Sequence, residues 1–156
     1  NHSKSHKYLN VQTNSINLGF NFFTKFKKNK SIKYISLDEK EWKLGIKSNQ
    51  LNSNIIKNFV NDNTAYSVTL GKNGSIYHFK NEIFHAPVFI DKVIDTTGCG
   101  DAYFAITSLL KIIKTKPELI SFLGNIYAGM HALNVANKNI TSRTDYLKYT
   151  KSLLTF

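Results

Sequence analysis

The stretch that decides the fold is Asp95-Thr96-Thr97-Gly98-Cys99-Gly100-Asp101, followed directly by the apolar run Ala102-Tyr103-Phe104-Ala105-Ile106. Two glycines this close to the start of a helix predict a concave nest of backbone N–H groups that fits a phosphate. The carboxylate of Asp101, in the first helical turn, is then expected beside the bound anion. This combination favours a phosphoryl transfer site, with the nest for the phosphate and Asp101 for the proton.

Helical periodicity continues downstream of this stretch. Apolar residues recur at helical spacing over residues 99–114, and Pro117 beyond them is a stop signal. Pro117 itself suits the first position of a second helix, which we expect to run to about residue 137. The sequence Ser142-Arg143-Thr144-Asp145 predicts a cap for a last helix that ends near Leu154.

Strand patterns and shorter helices alternate upstream. Strands are predicted over residues 7–12, 34–37, 66–70, 75–79 and 83–86, and helices over residues 15–28, 38–46 and 52–61. Asp38 is expected to cap the second of these helices. Residues 71–74 join two strands as a hairpin. Strands that alternate with helices predict an α/β layered domain.

Composition narrows the function. The 156 residues carry a net charge of +11, but the lysines are scattered and Arg143 is the only arginine, which disfavours nucleic-acid recognition. No apolar run approaches the roughly 18 residues that a membrane span needs. Cys99 is the only cysteine, so the chain has no internal disulfide. These features predict a cytoplasmic protein that binds neither nucleic acid nor a membrane.

Four short motifs resemble one enzyme family. Residues 95–101 resemble the C-terminal signature of the ribokinase-like (PfkB) family of carbohydrate kinases. In the family's order, residues 67–74 resemble its strand and Gly-x-x-Gly hairpin beside the nucleotide, and residues 37–41 resemble its Asn-x-x-Glu motif linked to Mg²⁺ and phosphate. Residues 124–128 resemble the helix whose Asn lies near the adenine. Residues 10–21 resemble the branch related to heptose-phosphate kinases.

The resemblance implies a fold as well as a function. Residues 1–156 would form a single partial domain, the nucleotide-binding half of a PfkB-type kinase and the C-terminal part of a three-layer α/β/α sandwich. The chain begins at Asn1 without an initiator Met, which agrees with a piece of a longer protein. Strands that would pair with the missing half leave an open sheet edge, so we expect a homo-oligomer or a poorly soluble chain.

The resemblance also implies site residues. Asp101 would be the base that takes the proton from the acceptor hydroxyl. The remaining implied residues are Gly98, Cys99 and Gly100 in the anion hole; Thr69, Gly71, Gly74 and Asn125 at ATP; Glu41 and Asp38 at Mg²⁺; and Asp95 and Thr96 at a monovalent cation such as K⁺.

Two positions depart from the family pattern. Asp38 stands where the family usually has Asn. The Asp side chain keeps an oxygen at this position and adds a negative charge near the phosphates. Cys99 stands where Ala is commoner, and we expect it to be a small filler that fits this position. The alternative is that the helix N-terminus lowers the pKa of its thiol and makes it oxidisable.

The sequence therefore predicts an ATP-dependent kinase that phosphorylates a hydroxyl of a sugar or sugar phosphate. A nucleoside kinase of the same family is one alternative, because the acceptor pocket of such enzymes lies mostly in the other half. The other alternative is a truncated remnant that binds nucleotide without transferring phosphate.

Overall fold

The fold is a five-stranded mixed sheet with helices on both faces. The computed structural model describes residues 5–12, 29–46, 48, 63–135, 138 and 140–155. The helices predicted over residues 15–28 and 52–61 lie outside these ranges. The strands are β1 (Lys7–Asn10), β2 (Ile32–Asp38), β3 (Ala65–Thr69), β4 (Ser75–Phe79) and β5 (Glu82–Ala86). The α-helices are α1 (Glu39–Ile46), α2 (Cys99–Ile112), α3 (Pro117–His131) and α4 (Arg143–Leu154).

The strand order in the sheet follows the order in the chain. β1, β2 and β3 run parallel, whereas β4 and β5 are antiparallel to their neighbours. Asn10 pairs with Ser36, and Asp38 pairs with Thr69. The carboxyl ends of the three parallel strands therefore meet at one edge of the sheet, where open α/β sheets bind their ligands.

An apolar cluster covers each face of the sheet. On one face, α1 contributes Trp42 and Ile46 to a cluster with β2 and β3. On the other face, Tyr34, Ala65 and Tyr77 pack with Ile120 of α3. Alternation along the parallel strands supplies both clusters, since successive side chains point to opposite faces. The expected α/β fold, with helices in outer layers around a sheet, is confirmed.

Buried hydroxyl groups tie α2 to the sheet. The Tyr34 hydroxyl donates to Ser67 Oγ (2.8 Å) and lies 2.7 Å from Thr107 Oγ1, while Ser75 Oγ donates to the Tyr103 hydroxyl (3.0 Å). Burial raises the pKa of Tyr34 and of Tyr103, so both stay neutral. Paired hydroxyl groups avoid the cost of burying a polar atom alone, and they set the position of α2 over β2, β3 and β4.

Close contact between α2 and α3 depends on Gly124. A Cβ at this position would lie 2.6 Å from side-chain atoms of Thr107 and of Tyr103, closer than carbon atoms can approach. The missing side chain lets α3 pack against the same part of α2 that holds the hydroxyl network.

Helix ends differ from the sequence prediction. α2 ends at Ile112, and α3 ends at His131 where the pattern predicted residue 137. The carbonyl oxygen of Ala132 accepts hydrogen bonds from the backbone N–H groups of Ile94 (2.8 Å) and Asp95 (3.1 Å). That oxygen would bond residue 136 if the helix continued, so a contact from the preceding loop replaces the next helical turn. Within the described ranges, no helix has the length and apolar character of a membrane span.

Candidate active site

The first part of the site is the start of α1. The Asp38 Oδ1 atom accepts a hydrogen bond from the Glu41 backbone N–H (2.7 Å), and Glu41 Oε2 accepts one from the Asp38 backbone N–H (2.8 Å). This reciprocal pair is a capping box, and it confirms the predicted cap at Asp38. It also holds two carboxylates side by side at the carboxyl end of β2.

The glycine nest precedes α2. Gly98 has φ 78° and ψ 0°, a left-handed conformation that glycine adopts without steric cost. The turn is held by hydrogen bonds from the Cys99 N–H to the Thr96 carbonyl (3.1 Å) and from the Ala102 N–H to the Gly98 carbonyl (2.9 Å). A Cβ at Gly100 would meet no atom within 4 Å, so this side of the nest faces open space. Because the Cys99 N–H is engaged by Thr96, Gly100 supplies the next N–H at the start of α2 that an anion could approach.

Asp101 lies in the first turn of α2, where the helix dipole favours a negative charge. Its Oδ1 atom accepts hydrogen bonds from Asn10 Nδ2 (2.7 Å) and Gln12 Nε2 (2.9 Å). The sequence predicted no contact of either amide with Asp101. A signal was present, because side chains two positions apart on a strand share one face.

The hairpin between β3 and β4 borders the same edge. Gly71–Asn73 form a 3₁₀ turn closed by a hydrogen bond from the Leu70 N–H to the Gly74 carbonyl (2.8 Å). Gly74 has φ 84° and ψ −135°, and a Cβ there would collide with the carbonyl oxygen of Ala86. Both the conformation and the close approach require glycine.

Asn125 of α3 holds the chain that leaves β5. Its Nδ2 donates to the carbonyl oxygens of Ala86 (2.7 Å) and Pro87 (2.9 Å). The next turn of α3 also packs closely against this segment. A Cβ at Gly129 would lie only 3.2 Å from Ile90 Cδ1. Residues 86–90 are thereby fixed along α3.

Two cavities open at this edge of the sheet. The larger has a volume of about 890 Å³ and runs from Gly71, Lys72 and Gly74 past Asn125 to Cys99 and Gly100. The smaller, of about 170 Å³, is lined by polar residues that include Asn10, Gln12, Glu41 and Asp101. Three residues line both cavities: Asp38, Thr69 and Gly100.

Contacts in the loop before the nest bear on the pKa of the Cys99 thiol. The Thr97 N–H donates to Asp95 Oδ1 (2.9 Å), and the Cys99 Sγ lies 3.8 Å from the Asp95 carbonyl oxygen. Burial raises the pKa of the Cys99 thiol, and the negative charge of Asp95 raises it further. The alternative of a lowered thiol pKa is therefore wrong, because burial and the charge of Asp95 both disfavour the thiolate.

Asp38 and Glu41 offer two carboxylates at this site that could hold Mg²⁺. In the part of the chain that the structure describes, no group of three or more His, Cys, Asp or Glu side chains forms a metal site. Mg²⁺ is commonly held by one or two carboxylates and completed by water and substrate phosphates. Asp38, which lines both cavities, and Glu41, which lines the smaller one, fit that kind of site.

The structure brings most of the predicted site residues to one edge of the sheet. Those that line a cavity are Asp38, Glu41, Thr69, Gly71, Gly74, Thr96, Gly98, Cys99, Gly100, Asp101 and Asn125. Asp95 lies in the loop behind the nest, where it organises the turn at Thr97.

Comparisons with known proteins agree with this architecture. The fold is similar to that of a ribokinase from Thermotoga maritima (TM-score 0.66, 24% identity, covering 78% of this chain and 43% of that one). It is also similar to a probable sugar kinase from Rhizobium etli (TM-score 0.71, 16% identity, covering 85% and 40%). A nucleoside kinase from Burkholderia thailandensis, solved in complex with inosine, is similar as well (TM-score 0.67, 18% identity, covering 80% and 41%).

These similarities cover about two fifths of each solved structure. The search of curated proteins found no match. The model of the pfkB family of carbohydrate kinases matches residues 30–110, which is more than half of the chain. With the α/β fold and the glycine nest before α2, that match shows that this chain belongs to the pfkB carbohydrate kinase family.

Proposed function

We propose that this chain forms the ATP-binding part, and carries the general base, of a kinase that phosphorylates a hydroxyl of a sugar or sugar phosphate. The observation that carries the proposal is the position of the nest between two cavities. Gly100 lines both of them, whereas Asp101 lines only the smaller one. A phosphoryl donor on one side and a hydroxyl acceptor on the other would meet at the N-terminus of α2.

The larger cavity suits a nucleotide. Its volume of about 890 Å³ is typical of small-molecule sites. Apolar residues where α3 meets the segment after β5, among them Ile90, Ala128 and Ala132, would contact the base. The phosphates would extend toward Gly100 and the hairpin, with Thr69, Gly71, Gly74 and Asn125 along the nucleotide.

The smaller cavity suits the reacting hydroxyl. Asp101 would accept the proton of the acceptor O–H while the oxygen forms a bond to the γ-phosphorus and the bond to the β-phosphate oxygen breaks, releasing ADP. The N–H groups of Gly98 and Gly100 would stabilise the charge on the transferred phosphoryl oxygens, whereas the Cys99 N–H, which the resemblance adds to the anion hole, already donates to the Thr96 carbonyl oxygen. These groups are already oriented by the left-handed Gly98.

Asp38 and Glu41 would hold Mg²⁺ through water and phosphate oxygens. When bound, the ion supplies charge neutralisation for the β- and γ-phosphates. Asp95 and Thr96 are proposed to support a monovalent cation such as K⁺ behind the anion hole. The cytoplasmic location, the lack of nucleic-acid and membrane partners and the homo-oligomer stay predictions.

The acceptor defines a second candidate. The comparison structures include a nucleoside kinase described in complex with inosine and an adenosine kinase from Sinorhizobium meliloti, beside ribokinase and sugar kinases. A nucleoside kinase is therefore the alternative. Assays should present sugars, sugar phosphates and nucleosides in parallel, with ADP release as the readout.

The decisive experiment is Asp101→Asn in the full-length protein. We expect kcat to fall by about 100-fold or more with little change in ADP affinity, because the side chain keeps its size and loses its basicity. Glu82→Gln removes one exposed carboxylate on β5, outside both cavities, and serves as the control.

An unchanged kcat in Asp101→Asn would overturn the proposed base. Wild-type protein that binds ADP but releases none from ATP with any acceptor class would overturn the kinase proposal. That outcome would favour the remnant that binds nucleotide without transfer.

A further inference from the structure

The carboxylate of Asp101 accepts hydrogen bonds from side chains in and just after β1, the strand at one side of the described sheet. Asn10 Nδ2 and Gln12 Nε2 donate to the same oxygen, Oδ1, at 2.7 Å and 2.9 Å. The donors lie 91 and 89 residues before Asp101 in the chain, so tertiary packing alone brings them together. Both amides line the smaller cavity with Asp101.

Strand alternation fixes which side chains of this segment reach α2. Leu9 and Val11 pack against the apolar cluster on the α1 face of the sheet. Tyr8 and Phe104 both pack against the cluster on the opposite face. Asn10 shares the face of Tyr8 because side chains two positions apart on a strand point the same way, and Gln12, two residues beyond β1, donates to the same oxygen as Asn10.

Two side chains one turn apart on α2, Phe104 and Asp101, match this arrangement. Phe104 packs against the same cluster as Tyr8, and Asp101 accepts the hydrogen bonds of the two amides. The backbone is held at the same place, since the Val11 N–H donates to the Ser36 carbonyl (2.8 Å) between the two amide residues. Asn10 is thus the last residue of β1, and Gln12 follows the backbone hydrogen bond of Val11 to β2.

Two donors on one oxygen have a chemical consequence. All the hydrogen bonds to the Asp101 side chain among the described residues fall on Oδ1. Amide N–H groups can donate but cannot take up the acceptor's proton, so Oδ2 is the oxygen that stays available for it. Hydrogen bonds to a charged group are shorter and stronger than neutral ones, and they restrict the rotation of the carboxylate.

We infer that Asn10 and Gln12 are positioning residues for Asp101, which turn its Oδ2 toward the acceptor hydroxyl. The inference rests on the proposed function, because it assigns the two amides to the same phosphoryl transfer. It adds a contribution of β1 to catalysis that acts through Asp101 and not through contact with the nucleotide.

The test is a double-mutant cycle in the full-length protein, with ATP and the best acceptor from the parallel assays. Gln12→Leu and Asn10→Leu remove the donors while keeping the approximate side-chain size. We expect each to lower kcat about 10-fold without changing the KM for ATP, because the base is misoriented while the larger cavity is intact. Lys7→Gln, an exposed change at the start of the same strand, is the control and should leave kcat unchanged.

The Asp101→Asn background separates positioning from general damage. If the amides act through the Asp101 carboxylate, Gln12→Leu adds no further loss to Asp101→Asn. An equal loss of kcat in both backgrounds, or no loss in either, would overturn the inference. A rise in the KM for ATP would also overturn it, since that would point to a distorted nucleotide site.

A second measurement needs no acceptor. Urea unfolding of wild type, Gln12→Leu, Asp101→Asn and the double variant gives the coupling between the two side chains. A measurable coupling supports the hydrogen bond even if no acceptor is phosphorylated, in which case the proposed function alone fails. Additive effects would overturn the inference whether or not the protein is a kinase.

Discussion

Asp38 and Glu41 bond each other's backbone: the Asp38 Oδ1 atom receives the Glu41 N–H at 2.7 Å, and Glu41 Oε2 receives the Asp38 N–H at 2.8 Å. The same two carboxylates line the smaller cavity, beside Asp101. A structural role at the helix start and the proposed role at Mg²⁺ therefore share one pair of side chains. Two substitutions at Asp38 separate these roles.

Asp38→Ala should cost about 1 kcal/mol of unfolding free energy, because the first turn of α1 loses its cap. Asp38→Asn keeps an oxygen acceptor and should stay within about 0.5 kcal/mol of wild type. Urea unfolding followed by circular dichroism measures both. In kinase assays, Asp38→Asn should raise the Mg²⁺ concentration needed for half-maximal rate, since it removes a negative charge. Equal Mg²⁺ requirements would exclude Asp38 from the ion's surroundings.

Gly74→Ala should lower the free energy of unfolding by more than about 3 kcal/mol, from backbone strain and the collision with the Ala86 carbonyl. Gly71→Ala is the matched control in the same hairpin. Gly71 also has a positive φ, 57°, but its Cβ would meet no atom within 4 Å. It should cost about 1 kcal/mol. Equal destabilisation of both variants would show that the approach to β5 contributes nothing.

Asn125→Leu should weaken ADP binding about 10-fold and reduce stability by about 2 kcal/mol. The substitution leaves the carbonyl oxygens of Ala86 and Pro87 without their donor, and the segment after them lines the larger cavity. Isothermal calorimetry and urea unfolding give the two values. Asn134→Leu, which removes one hydrogen bond to the Met130 carbonyl at the end of α3, should leave ADP affinity unchanged.

Cys99 should react slowly with iodoacetamide at neutral pH. Because burial and Asp95 raise its pKa, less thiolate is present at a given pH than in the unfolded chain, and the thiolate is the reactive form. The rise of alkylation rate with pH should therefore occur at higher pH in the folded protein than in urea. Mass spectrometry of the Cys99 peptide gives both rates. A faster reaction in the folded protein at neutral pH would contradict the raised pKa.

Local signals in the sequence predicted the elements of the site. Asp38 and Ser142 were predicted as helix caps, and each side-chain oxygen accepts a hydrogen bond from an N–H three residues later. The nest at residues 98–100 and the hairpin at residues 71–74 were equally visible. All four depend on backbone conformation within a few residues, which residue type strongly constrains.

Contacts between segments that are distant in the chain could not be predicted from the sequence. The predicted end of α3 was wrong because the Ala132 carbonyl oxygen accepts hydrogen bonds from Ile94 and Asp95, which belong to the loop before α2. The alternative of a lowered pKa for the Cys99 thiol was wrong because burial, which raises this pKa, is a property of the packed molecule. The amides of Asn10 and Gln12 were not connected to Asp101 for the same reason.

The sequence by itself determined the α/β fold, the glycine nest before α2 and the family, since periodicity, turn glycines and short motifs act over a few residues. Only the tertiary structure decided that the carboxyl ends of β1, β2 and β3 meet at the nest and that two cavities share its wall. It also decided which oxygen of Asp101 is held. These relations depend on the pairing of strands and on the packing of α2 against both the sheet and α3, contacts that span up to 91 residues of chain.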